Sequence, residues 1–336
     1  MTIQLVLKEL PLPLRLILTN IVKKRLVKGH SKHSIIEKDL AKRWAGYWGE
    51  VALSNYLKEL PQEKYFIFYD SQLQHNGVHF QIDALLISRT HILIIEAKNI
   101  IGILQFDNVF KQLIRINHDG TEESFEDPRV QGQRLQSLLR GWMRSNGCDL
   151  LPVDYLVFFK SATNTILKTT SNDKTDLNKI CKGRDLFNKI HALAQRFKKE
   201  LIDMETLNHI GKLLLSHHSP KEIKILEEYK LTGKEILTGV CCPNGKCLHT
   251  PMEYKKGKWV CSKCLLTSKD AHKDALSDYY YLIKSTITNS ELRIFLHLPT
   301  SDTAQKILQR LKLQVTGKTR DRIYHLRPNE VTLCVL

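Results

Sequence analysis

Between Gln81 and Lys98 the chain sets an aspartate, a glutamate and a lysine into an otherwise apolar stretch. Two runs rich in Ile and Leu, 80–87 and 92–95, flank the polar group Ser88-Arg89-Thr90-His91, the pattern of two strands joined by a short hairpin loop. In that hairpin residue 88 faces 91 and 87 faces 92, so Asp83 falls across from Glu96. Lys98 shares the face of Glu96 because strand side chains repeat every two residues. Directly opposed side chains have β-carbons roughly 4.5–5.5 Å apart, and like charges there repel. A divalent cation relieves that repulsion: Mg²⁺ takes hard oxygen ligands, commonly one or two carboxylates plus substrate phosphates. With a lysine to position or help deprotonate water, the chemistry on offer is metal-assisted phosphodiester hydrolysis. Arg-Thr is a weak pair for a tight turn, and a bulge would shift the register. The competing reading makes Asp83 and Glu96 unrelated strand-end residues with Lys98 as a solvated counter-ion; against it, Glu-Ala-Lys closes an apolar run and not a polar face.

The second donor set is sulfur. Of eight cysteines, Cys148, Cys181 and Cys334 are isolated, whereas five fall between Cys241 and Cys264. Two close pairs separated by a short stretch have the spacing of a structural zinc site with four thiolates around the ion. Cys242, Cys247, Cys261 and Cys264 are the expected ligands, with Cys241 spare and His249 an outside candidate. Residues 252–260, with Lys256-Gly257-Lys258 at a turn and Trp259 before the second pair, suit the hairpin of a zinc ribbon. Disulfides are the competing reading, disfavoured in a chain without a secretion signal. The ribbon resembles those appended to DNA topoisomerases, which implies stability and DNA contact as its role.

Five blocks in order, Gly49-Glu50, Gln81-Ile82-Asp83, Glu96-Ala97-Lys98-Asn99, Gly102 and Asp127-Pro128-Arg129-Val130-Gln131, resemble the nuclease-related domain family (NERD). This is a branch of the PD-(D/E)XK superfamily with a restriction-endonuclease-like fold, and the resemblance covers residues 42–160. It implies a helical glutamate matched by Glu50, metal-binding acids matched by Asp83 and Glu96, the active-site lysine matched by Lys98, and a helical glutamine matched by Gln131. Asp127 departs from the family's usual Asn but leaves the Pro-x-x-Gln spacing intact.

The elements that must hold these residues follow from periodicity. Trp44, Trp48, Val51, Ala52, Tyr56 and Leu57 recur at helical spacing, so 42–60 is expected as an amphipathic helix with Glu50 beside its apolar face. Pro128 opens a second helix through Leu135, Leu138, Leu139 and Trp142, with Gln131 in its first turn, and 155–159 reads as a core strand. Glu50 and Gln131 taken alone also suit solvated helix positions.

Residues 161–236 read as an extension or linker, with a polar loop at 161–174 and a helical run at 186–215 broken at Ser216-His217-His218-Ser219-Pro220; neither histidine is given a role. A ribbon is expected over 237–270. Beyond it, 275–336 reads as helix, turn, helix and a basic hairpin around Gly317, the order of a winged helix-turn-helix. There Lys306, Arg310, Lys318, Arg320 and Arg322 would meet phosphates or bases, a plain helical cap with a charged face being the competing reading.

At 336 residues with a net charge of +16, the chain suits two or three domains and a polyanionic partner. No targeting or membrane-spanning segment is evident, and residues 1–41 read as a basic N-terminal arm, a membrane-surface role being the lesser reading. The absence of a P-loop and of Gly-x-Ser-x-Gly argues against an ATPase or serine hydrolase. The combined expectation is an α/β protein: a restriction-endonuclease-like mixed sheet flanked by helices, a small zinc ribbon and a winged-helix-like end. It would act as a cytoplasmic, Mg²⁺- or Mn²⁺-dependent DNA nuclease with structural zinc. A catalytically silent DNA-binding regulator and an RNA nuclease are the alternatives; oligomeric state is open.

Overall fold

The computed structural model describes the chain apart from residues 1–5, 62–63, 161–163, 170–174, 245–246, 248–249, 319–320 and 328–336. It divides into two compact units. The first holds the described residues up to Leu12 with Lys42–Glu222, and the second holds Pro13–Ala41 with the described residues from Ile223 onward. β1 (Val6–Lys8) lies in the first and α1 (Leu14–Arg25) in the second, while α2 (His33–Leu57) begins in the second and ends in the first.

The first unit continues through β2 (Phe66–His75), β3 (Val78–Ile87), β4 (Ile92–Lys98), β5 (Gly102–Asp107), β6 (Gln112–Ile116), β7 (Glu122–Glu126), α3 (Pro128–Ser145), β8 (Val153–Phe159), β9 (Thr165–Thr169), β10 (Ile180–Lys182), α4 (Asp185–Arg196) and α5 (Met204–Ser216). Its main sheet runs β1-β2-β3-β4-β8-β10, antiparallel at β2–β3 and β3–β4 and parallel at the other pairings. Asn76 and Gly77, both at positive φ (48° and 77°), close the first hairpin. This is the two-residue turn whose twist matches paired strands.

Alternation along the strands sends their side chains to two cores. Leu85, Ile87, Ile92 and Ile94 pack with Leu135, Leu139 and Trp142 of α3 and with Leu207 and Ile210 of α5. Ala84, Leu86, Leu93 and Ile95 pack with Leu53 and Leu57 of α2 and Leu186 and Ile190 of α4. Burial on both faces accounts for the nearly continuous apolar runs, and each fully buried Leu or Ile contributes roughly 1.5–3 kcal/mol.

The stretch expected as a polar loop carries β9, which pairs in parallel with β5 in a second sheet ordered β7-β6-β5-β9. The expected continuous helix 186–215 is two helices. Between them Phe197 stacks on His91 (5.6 Å, 29°), Leu201 N–H donates to Arg89 O at 2.9 Å, and Asp203 caps α5. The break is therefore imposed by the 88–91 loop, which local sequence does not encode.

The second unit adds α6 (Ile225–Glu228), β11 (Val240–Cys241), β12 (Pro251–Lys255), β13 (Lys258–Cys261), β14 (Thr267–Ser268), α7 (His272–Leu282), β15 (Thr286–Ile287), α8 (Asn289–Leu296), α9 (Ser301–Arg310), β16 (Gln314–Thr316) and β17 (Ile323–His325). Residues 13–41, expected as an arm, contribute Leu18, Val22, Leu26 and Ile36 to a core with Ile225, Leu231 and Ile236. Arg25, fully buried, donates through Nε to Asp278 at 2.6 Å. The C-terminal hairpin β16–β17 gains a third strand that periodicity does not announce, β15, which pairs Ile287 with Tyr324. Among the described residues no helix is long and apolar enough to cross a membrane.

Candidate active site and cysteine cluster

The β3–β4 register pairs Ile87 with Ile92, Leu86 with Leu93, Leu85 with Ile94 and Ala84 with Ile95, as the apolar runs predict. The ladder stops one residue short of Asp83 and Glu96. Beyond it the Ala97 N–H donates to Asp83 Oδ2 at 2.8 Å, so one carboxylate oxygen is held against β4. Glu96, only 5% exposed, accepts from Lys98 Nζ at 3.0 Å. Gln131, in the first turn of α3, bridges the two: its Oε1 accepts from Lys98 Nζ at 2.9 Å and its Nε2 donates to Glu96.

Asp127 places that turn. Its side chain caps α3 by accepting from Arg129 N–H at 2.8 Å and also binds the Arg129 side chain through Nε. A charged aspartate in place of asparagine is thus neutralised by a guanidinium two residues on.

Glu50 reaches the site because α2 approaches β4 at a glycine. A Cβ built on Gly49 would lie 3.0 Å from Asn99 Cβ, and Asn99 Nδ2 donates to Ala45 O at 2.7 Å. Burial, then the Asp70 and Glu96 carboxylates, raise the Glu50 pKa to about 7. Burial and the charges of Glu96 and Glu50 push Asp83 well above the usual carboxylate range, against the pull of the Ala97 N–H and Lys98. Glu50 Oε2 is buried without a hydrogen-bond partner. An orphaned hard oxygen near carboxylates whose charges raise Glu50 and Asp83 is the environment a divalent cation satisfies. Glu50, Asp83 and Glu96 therefore offer oxygen donors of the hard kind that a divalent cation takes.

One acid escaped sequence reading. In β2 the pairs Tyr69–Ala84 and Ser71–Ile82 bracket Asp70 at the level of Asp83, so Asp70, Asp83 and Glu96 fall in a row across three strands. Asp70 is 6% exposed, has φ 49° and accepts from Gln72 Nε2 at 2.9 Å, with Lys8 Nζ at 3.7 Å. The signal was available: the Asn76-Gly77 turn fixes the register of the first hairpin as the 88–91 loop fixes that of the second.

In the second unit the sulfurs of Cys242, Cys247, Cys261 and Cys264 all lie within 4.8 Å of one another. β11 to β14 form an antiparallel sheet in order, and the turn at Lys256 and Gly257 joins β12 to β13. Cys241 pairs with Pro251 within β11 and stands outside the cluster, while His249 and Cys334 lie outside the described residues. The Leu266 N–H pulls the Cys264 thiol down to about 7. Four clustered thiols, none in a disulfide, make a donor set that fits zinc.

Lys306 and Arg310 on α9, Lys318 after β16 and Arg322 before β17 are exposed in the second unit. Arg320 lies outside the described residues.

The chain matches no curated protein and no solved structure. Its residues 45–160, about a third of the whole, match the family model of the nuclease-related domain. That span contains Glu50, Asp83, Glu96, Lys98 and Gln131, and the chain therefore carries a nuclease-related domain, NERD, at residues 45–160, followed by a four-cysteine cluster compatible with a zinc ribbon.

Proposed function

We propose that the chain is a metal-dependent DNA nuclease of the PD-(D/E)XK type. The observation that carries this reading is the orphaned Glu50 Oε2 beside Asp83 and Glu96, with Glu96 already tied to Lys98 and Gln131. Asp83 and Glu96 would hold Mg²⁺ or Mn²⁺, with Glu50 supporting it through water. Such an ion, when bound, polarises the scissile phosphate and lowers the pKa of an attacking water. Lys98 orients that water or stabilises the charge that develops on the phosphate. Gln131 fixes the Lys98 ammonium against Glu96, so the lysine keeps one direction.

Cys242, Cys247, Cys261 and Cys264 would hold zinc, and four thiolates close its coordination sphere, leaving a structural role. Thiols outside disulfides suit a reducing compartment and a cytoplasmic location. We assign the last helices and hairpin to a winged helix in which Lys306, Arg310, Lys318 and Arg322, with Arg320, meet DNA, α9 entering the major groove. The net charge of +16 favours this partner and makes binding fall steeply with salt.

The test is cleavage of linear and circular plasmid DNA by purified protein in Mg²⁺, Mn²⁺ or EDTA, beside Glu96→Ala. Metal-dependent cutting lost in the variant is expected, and the circular substrate separates endonuclease from exonuclease. Binding without cutting under any metal would move the chain to a regulatory role, and cutting confined to RNA would change the substrate.

A further inference from the structure

On the turn of α2 that delivers Glu50, three aromatic rings have no place in the core. Helical spacing groups Trp44 and Trp48 with the apolar face, yet that face buries Leu53 and Leu57, with Ala52 and Tyr56 packed against them. Neither tryptophan belongs to a buried cluster. Trp48 is 39% exposed, and Trp44 and Tyr47 are half-buried.

The rings instead group with each other. Trp44 and Trp48 stack with centroids 5.9 Å apart and planes 23° apart, and Tyr47 lies 6.0 Å from the first and 5.8 Å from the second. Their position is fixed relative to the acids. Ala45 O accepts from Asn99, the residue after Lys98, and Gly49 docks on the same asparagine. Burial, and then the Glu50 charge, raise the Tyr47 hydroxyl pKa.

The rings carry no net charge and offer π-faces on the helix that also carries Glu50. Nucleobases stack on such faces with little regard to sequence. A paired base has its faces occupied by its neighbours in the duplex, so the ligand that fits is an unpaired one. Exposed Lys42 at the start of the same segment and the net charge of +16 supply attraction for the attached phosphates. We propose that Trp44, Tyr47 and Trp48 form a stacking platform that seats unpaired nucleobases of a single strand next to the acidic row. This rests on the nuclease reading for its purpose, and it names the form of substrate that reading leaves open.

The experiment uses the full chain in EDTA, where nothing is cut. Fluorescein-labelled oligothymidylate and a blunt hairpin duplex of equal length are titrated and followed by anisotropy. Trp48→Ala is expected to weaken single-strand binding roughly tenfold and duplex binding less than about twofold, with Trp48→Phe keeping most of the affinity. Because the side chain lies outside the core, Trp48→Phe also guards against misfolding, and oligothymidylate should quench less tryptophan fluorescence in it than in the parent. Equal loss on both substrates, or no loss, overturns the platform. So does unchanged affinity accompanied by a shift of Trp48→Ala from dimer to monomer in light scattering, which would mean the rings cover a second copy. Cleavage in Mg²⁺ is scored separately: Trp48-dependent binding without cutting keeps the platform and removes the nuclease reading, whereas cutting with Trp48-independent binding does the reverse.

Discussion

The acidic row and the cysteine cluster are both sets of metal-type donors, assembled by opposite means. The first and last of the four cysteines are 22 positions apart, and the set is gathered by adjacent strands and tight turns. The acids come from β3, β4 and α2, with Asp70 from β2, and are completed by a glutamine from α3. The soft-donor set is therefore a local object whose geometry follows from a few turns. The hard-donor set depends on sheet register and on two helix dockings, so its failure modes lie far from its ligands.

The sharpest contrast is expected from removing one member of each. Asp83→Ala or Lys98→Ala should abolish cleavage, a fall of roughly a thousandfold or more, with DNA binding and thermal melting largely kept. Unaltered cleavage in both variants would break the site assignment. Cys261→Ser, at a fully buried position, should instead lose the zinc and with it the folded ribbon, because zinc binding there is folding energy, about 10–16 kcal/mol in zinc-finger peptides. Zinc content by mass spectrometry and the fluorescence of Trp259, which is buried against His272, report it. Parent protein that takes up no zinc would remove the cluster from consideration as a metal site.

A smaller effect tests the dependence of the acidic row on docking. Gly49→Val touches no acid, yet the Cβ contact of 3.0 Å with Asn99 means that α2 must move or Asn99 must give. Displacement of Glu50 by about 1 Å predicts a loss of cleavage of up to roughly a hundredfold, with Gly49→Ala between the variant and the parent. Full activity in Gly49→Val would show that Glu50 is dispensable or that α2 yields without moving it.

What could be read from the sequence follows the same division. Cysteine spacing locates the cluster, but the choice of Cys242 over Cys241 is made by the pairing of Cys241 with Pro251 inside β11. Apolar runs around Ser88 to His91 give the β3–β4 register, and Asn76-Gly77 gives that of β2–β3, which is where Asp70 was legible and went unread. Glu50 and Gln131 look like any solvated helix residue; only the ordered motifs single them out, since the contacts that bring them in are long-range. The break between α4 and α5 is equally invisible because Phe197 is captured by His91. Trp44 and Trp48 mislead in the other direction, having the periodicity of a core face without its burial.

The smallest expected effect is electrostatic. Glu50 titrates near 7 where a free glutamate titrates at 4.5, so between those values the folded chain holds a proton that the unfolded chain has lost. The Glu50 contribution to the stability of the metal-free protein should therefore fall as pH rises through that window and be lost above 7, with the raised Asp83 acting in the same direction. A cation competes with that proton, so Mg²⁺ should raise the melting temperature more at pH 8 than at pH 5.5. After burial, Asp70 is the largest cause of the Glu50 shift. Asp70→Asn should thus move the pH midpoint of Mg²⁺ stabilisation downward by a fraction of a unit, while changing cleavage at pH 8 little. The substitution is mild in other respects. Asparagine tolerates the left-handed φ of 49°, and Lys8 Nζ, which loses the 3.7 Å pair, still donates to the Tyr69 and Asp70 carbonyls at 2.8 and 2.7 Å. A midpoint that stays put would detach Asp70 from the row, and one that rises would reverse the sign of the coupling between the two carboxylates.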